Sequence, residues 1–203
     1  SYLEMTGQFG GLTVYELLWP ANMTQIPEVE VIKSRKSVAS LCARLVDDYR
    51  KGSGKSILVD GGKFIAGEAV FYINSISEIK KIILENNIRP EEANILSRET
   101  GMKFRIGDIP QKGELHKMFT FCTSTVYIGA DFYSTNAYSY IFANPRISSM
   151  TVDVSVDLQQ IIGRQRLEEN PFRNSATLYF NTRESRVDRQ ALEEAVSEKK
   201  EKT

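Results

Sequence analysis

The run Ala66-Gly67-Glu68-Ala69-Val70-Phe71-Tyr72-Ile73 constrains the fold more than any other stretch of this chain. It is compact and apolar without a polar alternate face, so as a strand it must be covered on both sides. Asn74-Ser75 then breaks it, and Ile76, Ile79, Ile82 and Ile83 follow at helical spacing. A buried strand, a polar turn and a helix in that order make a βα unit. The same alternation recurs. From Lys36, apolar residues fall at Val38, Leu41, Cys42, Leu45, Val46 and Tyr49, the i, i+3, i+4, i+7 series of an amphipathic helix. Ala93 to Leu96, Met118 to Cys122, Ala137 to Ala143 and Ala176 to Phe180 read as further strands. Buried strands alternating with helices indicate an α/β protein with a mostly parallel sheet.

The remaining segments are punctuated by turn residues. Residues 1–35 read as a lead-in, with a helical turn to Phe9, the Gly10-Gly11 break, and strands at Thr13 to Trp19 and Val29 to Ile32 kept apart by Pro20 and Pro27. Pro90-Glu91-Glu92 opens a short helical turn, residues 98–113 are a loop, and a charged terminal helix is expected from about Glu184 to Lys200. Gly52-Ser53-Gly54-Lys55-Ser56 tempts a P-loop assignment. The spacing denies it, because a P-loop has glycine five residues ahead of the Gly of its GK[ST], and that position is Tyr49. A helix precedes the stretch where a strand is needed, so it reads as a flexible surface connection ending at Gly61-Gly62.

Composition narrows the function classes. The 203 residues are 41% hydrophobic and carry 26 basic against 26 acidic side chains, so no overall positive field advertises nucleic acid and any such site must be local. Cys42 and Cys122 lie in apolar runs and His116 has no ligand-like spacing around it, which reads as reduced core thiols and no metal site. No apolar run approaches the ~18 residues of a membrane span, and a soluble intracellular protein, cytoplasmic or at a nucleoid or replication site, is expected. The opening Ser in place of Met points to a fragment or processed chain.

Chemistry concentrates in three places. Asn74-Ser75 and Thr123 to Asp131 follow strands, where ligands of parallel α/β sheets collect. Thr123, Ser124 and Thr125 offer hydroxyls to sugar-phosphate oxygens, Gly129 permits close backbone approach, and Asp131 can accept from a ribose hydroxyl; the plain alternative is a capped turn. The third is Gln160-Ile161-Ile162-Gly163-Arg164-Gln165-Arg166. Val156, Leu158, Ile161 and Ile162 bury one side of a helix begun at Ser155, leaving Gln160, Arg164 and Arg166 together at the other edge. Arginine stays protonated and presents a planar fork, which suits a phosphate; ordinary surface arginines are the plain alternative.

Taken in order, these segments resemble the second RecA-like domain of superfamily 2 helicases. Val70-Phe71-Tyr72-Ile73-Asn74-Ser75 looks like motif IV, Thr123 to Asp131 with its leading Thr and Gly-x-Asp looks like motif V, and Gln160 to Arg164 looks like the QxxGR of motif VI. The match spans residues 36–182. Motif VI commonly continues QxxGRxxR, whose last position here is Leu167, with Arg166 one residue earlier. The QxxGRxR form is also similar to replication-origin-binding helicases of herpesviruses and to relatives in phages or mobile elements.

The resemblance implies a RecA-like three-layer sandwich over residues 36–203, with residues 1–35 as a linker from a missing N-terminal ATPase domain. It implies that ATP and Mg2+ lie mainly on that first RecA-like domain of the same polypeptide. Arg164, with Arg166 and Gln160, would then act on the γ-phosphate, Gly129, Asp131 and Gly163 would contact the nucleotide, and Thr123, Ser124, Asn74 and Ser75 would hold the backbone of a nucleic acid, DNA in preference to RNA. The chain alone would be a half-enzyme without ATPase activity. Two other readings stand beside this one: a catalytically inert RecA-like interaction or regulatory module, and a small nucleotide-binding enzyme relying on Gly52 to Ser56.

Overall fold

A computed structural model describes residues 3–9, 12–17, 28–97, 116–124, 130–144, 150 and 157–181. Among the described residues, ten strands and three helices run in the order β1 (Leu3–Phe9), β2 (Leu12–Leu17), β3 (Glu28–Ser34), α1 (Val38–Arg50), β4 (Ser56–Val59), β5 (Gly62–Ile65), β6 (Glu68–Tyr72), α2 (Ile76–Glu85), β7 (Ala93–Leu96), β8 (Phe119–Cys122), β9 (Ala137–Ala143), α3 (Asp157–Ile162) and β10 (Ser175–Asn181). Eight strands form one sheet in the order β1-β2-β3-β10-β9-β6-β8-β7. From β3 to β7 every pairing is parallel, while β2 and β1 extend the edge antiparallel. The fold is the expected mostly parallel α/β sandwich.

Strand alternation assigns the two faces. Ala69 and Phe71 of β6, and Tyr138, Tyr140 and Phe142 of β9, pack with α1 and α2. Val70, Tyr72, Ala137, Ile141 and Ala143 point the other way and pack with Leu158, Ile161 and Ile162 of α3. The sheet is thus the middle of three layers. Both longer helices have strong local signals. Ser37 caps α1 by accepting from Ser40 N–H at 3.2 Å, and Ser75 caps α2 by accepting from Glu78 N–H at 3.4 Å. α2 ends in a Schellman motif: Asn87 takes φ 47°, and the N–H groups of Asn87 and Ile88 donate to Leu84 and Ile83 carbonyls.

Two expectations are corrected. The stretch to Phe9 is strand β1, not a helical turn, and it pairs with β2. The expected strand at Val29 to Ile32 is β3, which lies inside the sheet beside β10. The Gly52 to Gly62 connection is an ordered structure. Its second part is the hairpin β4–β5, closed by Asp60-Gly61 with φ of 48° and 79°. Two consecutive positive φ values match the right-handed strand twist, which is why Asp-Gly is favoured at this turn. In its first part, a Cβ on Gly54 would sit 2.3 Å from the Ala66 carbonyl oxygen, so only glycine fits. Lys55 then reaches the Glu30 carboxylate on β3 and lies 5.4 Å from the Tyr138 ring centroid. A lysine held in this way is a structural clasp between the hairpin and the sheet. The terminal helix and the 98–113 loop lie outside the described residues.

Candidate functional site

The topology fixes where a ligand crevice can form. β6 and β9 are parallel neighbours, yet the helices that follow them, α2 and α3, cover opposite faces. In a parallel α/β sheet such a change of covered face marks a topological switch point, the place where a ligand crevice can form at the strands' carboxyl ends. Asn74-Ser75 stands directly after β6, and Thr123-Ser124 directly after its other neighbour β8.

These four residues form one group held by backbone contacts. Ser124 N–H donates to Asn74 Oδ1 at 3.0 Å, Ile73 N–H to the Cys122 carbonyl at 2.9 Å, and Thr123 N–H to the Leu96 carbonyl at 3.1 Å. Asn74 thus joins the segment resembling motif IV to that resembling motif V. Ser75 caps α2 and shares a 3.0 Å hydrogen bond with Ser77 Oγ, and Thr123 is 6% exposed. Gly129 and most of the approach to α3 lie outside the described residues, as do Ser155 and Val156.

A second group lies past the end of α3. The helix is six residues long, so Arg164 and Arg166 do not ride on it as the sequence pattern indicates. They leave it through Gly163, which is exposed, and enter an isolated parallel bridge between Phe132 and Gln165. Phe132 N–H donates to the Arg164 carbonyl at 2.8 Å, and Arg166 N–H donates to the Phe132 carbonyl at 2.9 Å. The bridge sets Asp131 opposite both guanidiniums. Arg166 Nε is 2.9 Å and Arg164 Nη1 3.4 Å from the same carboxylate oxygen, Oδ1. Gln160, half-buried, contributes its carbonyl to Arg164 Nε–H at 3.0 Å.

The two arginines are held differently. Arg164 is 16% exposed, its Nε is engaged by α3, and its contact with Asp131 is long for a charge-assisted bond. Arg166 is 49% exposed and makes the shorter pair. Two guanidiniums against one carboxylate leave one positive charge in excess, shared over donors that the carboxylate cannot saturate. Such a group can take an anion with planar, multidentate oxygens.

Gln165 was not singled out by its sequence, yet it lies between the arginines in the bridge and faces the other way. It is 5% exposed, and neither its Oε1 nor its Nε2 has a hydrogen-bond partner among the described residues. Its neighbour in the bridge, Phe132, packs into the core beneath α3. The alternation Arg-Gln-Arg carries this signal, since two outward arginines on an extended segment turn the residue between them inward. Comparison with protein-family models, curated proteins and solved structures finds no match for this chain.

Proposed function

We propose that this chain is the C-terminal motor domain of an intracellular, ATP-dependent superfamily 2 DNA helicase or translocase. In this reading ATP and Mg2+ sit on a separate first RecA-like domain, and Arg164 and Arg166 close on the γ-phosphate. The observation that carries the proposal is the Phe132–Gln165 bridge, which brings the end of the segment resembling motif V against the segment resembling motif VI. Residues 33 apart in sequence thereby meet around two fixed positive charges. Fixed guanidiniums aimed at a transferring phosphoryl group stabilise the charge that develops there, at no reorganisation cost during the reaction. Asn74, Ser75, Thr123 and Ser124 form the strand-end group that would take the backbone of DNA, with opening and closing of the cleft moving the domain along it.

The test is nucleic-acid-stimulated ATP hydrolysis by the full-length parent, wild type against Arg164→Ala, with ATP binding measured in parallel. The expected outcome is a fall of about two or more orders of magnitude with binding retained, as for loss of an arginine finger. Unchanged hydrolysis overturns the proposal. A second reading draws on the same ion pairs: guanidiniums joined to an internal carboxylate also suit an inert RecA-like module. For that module Arg164→Ala lowers stability and leaves the parent's hydrolysis untouched.

A further inference from the structure

The hairpin β4–β5 carries a surface that the nucleotide reading does not use. Among the described residues five large hydrophobic side chains are exposed, and four of them, Leu58, Val59, Phe64 and Ile65, stand on this hairpin. Apolar exposure concentrated on one element marks a contact surface. From its backbone pattern and its charges, we propose that a second copy of this chain docks there, β4 pairing antiparallel with the copy's β4 about a two-fold axis at Leu58.

Backbone geometry selects the axis. Val59 and Gly62 close the two-residue turn, and Leu58 faces Lys63 in the next pair. Hydrogen-bonded pairs alternate with open ones in an antiparallel ladder, and the pair closing a two-residue hairpin is bonded. The N–H and C=O groups of Leu58 and Lys63 therefore point away from the hairpin. Among the described residues β4 and β5 pair only with each other, so both edges are open. Charge then tells the edges apart. β4 has no charged side chain, whereas β5 presents Lys63 at its outward position, and a lysine on an edge strand blocks pairing. Antiparallel pairing centred on Leu58 lets each copy of this residue exchange both backbone bonds with the other. It sets the two leucine side chains together on one face, and on the opposite face it sets Ile57 of each copy against Val59 of the other. The strand is thus complementary to itself, with no charge to repel or to leave unpaired. Leu58, 78% exposed, is the side chain with most to cover.

The hairpin is presented in a fixed form. Ala66 N–H donates to the Lys55 carbonyl at 2.7 Å, Lys55 is clasped by Glu30, and Ile57 packs on the core beneath α1. Docking therefore orders little that is not already ordered. Lys63 guards both outer edges of the resulting four-stranded sheet, so pairing closes at two copies and does not propagate. β5 leads into the start of β6, which puts this contact at the end of the sheet away from Asn74 and Thr123 and leaves the strand carboxyl ends free.

Sedimentation velocity of the 203-residue chain tests the proposal. It is run between about 10 and 500 μM, a range set by the weak affinity of an interface smaller than the standard size. Wild type is expected to pass from monomer to dimer across that range with no larger species. Leu58→Lys, which brings two like charges together on the axis, is expected to weaken the dimer by about tenfold or more. The side chain is exposed, so the fold is retained, and circular dichroism checks it. Leu58→Cys is expected to cross-link to its copy under mild oxidation, because bonded antiparallel pairs hold their Cα atoms about 5.5 Å apart, within disulfide reach. Phe64→Cys, away from the axis, is expected to stay uncross-linked. A wild type that remains monomeric at the top of the range overturns the proposal, as does a dimer that Leu58→Lys leaves intact. Cross-linking through Phe64→Cys in place of Leu58→Cys, or wild-type species beyond the dimer, overturns it equally. If wild type is monomeric and Leu58→Lys lowers ATP hydrolysis by the full-length parent, the occupant of the hairpin is the separate ATP-binding domain and the second copy is excluded.

Discussion

The two faces of the sheet are built by different rules. Beneath α1 and α2 lies an aromatic layer in which Phe71 stacks between Phe121 and Tyr140, at centroid distances of 5.1 and 5.7 Å, and Phe142 stacks on Tyr179 at 5.2 Å. Four of its hydroxyl groups are paired. Tyr49 and Tyr140 share a 3.2 Å hydrogen bond, and Tyr138 donates to Thr177, which donates to Glu30, which also takes Lys55. Beneath α3 the side chains are smaller, the helix is six residues long, and buried polar atoms on Ser139 and Gln165 are without partners among the described residues. The phosphate-contacting candidates stand at the rim of this second face. A paired network favours rigidity in the aromatic face, whereas unpartnered buried amide and hydroxyl groups lower the stability of the layer beneath α3.

The sharpest way to break this contrast is in the aromatic layer. Phe71→Ala is expected to cost about 3–5 kcal/mol, because a ring closed in on both sides leaves a cavity the sheet cannot collapse. Denaturant unfolding measures it, and a loss below about 1 kcal/mol would mean the layer is not the rigid half. Next in size, Gln165→Met should raise stability by about 1–3 kcal/mol, since it replaces an unpartnered buried amide with an apolar chain of similar length. A lower unfolding midpoint would show that the amide is not a burden and would remove the asymmetry.

The smallest effect is acid sensitivity at the edge of the first face. Glu92 is held down to about 2, first by the hydrogen bond from Arg50, against the opposing effect of burial, and further by the Arg89 backbone N–H and the charges of Arg50 and Arg89. Its pKa is lower folded than unfolded, so its contribution is complete above about pH 4.3 and drains away as pH falls towards 2. After screening this is worth about 1 kcal/mol. Arg50→Ala should flatten the pH dependence of the unfolding midpoint across that window, and a profile as steep as wild type would exclude the pair as its source.

Much of the fold was legible because it rests on local periodicity. The 3.6-residue series in α1, the Asn-Ser break before α2 and the unbroken apolar run of β6 each specify their element without help from the rest of the chain. The hairpin β4–β5 is equally local, with Asp60-Gly61 between Ile57-Leu58-Val59 and Phe64-Ile65, but the glycines clustered at Gly52, Gly54 and Gly61-Gly62 fit a flexible connection as well as a tight turn. Leu3 to Phe9 takes its strand form from pairing with β2, which no window of seven residues encodes. The candidate site divides the same way. Residue types and order identified Asp131, Arg164 and Arg166, whereas the bridge that brings them together depends on Phe132 meeting Gln165 across 33 residues, and the inward Gln165 amide follows only from that bridge.

The pairing of β3 with β10 has a consequence for how the protein is made. Glu30 and Thr177, hydrogen-bonded partners in the finished sheet, are 147 residues apart. At roughly 5–20 residues per second, a ribosome needs roughly 7–30 s to deliver β10 after β3 has emerged. Throughout that interval one edge of β3 waits for its neighbour, and an open strand edge is a template for pairing with other chains. The nascent protein must therefore delay closing its sheet until β10 has been made. Glu28, Glu30 and Lys33, spaced along that waiting strand, supply charge that discourages a wrong partner in the meantime.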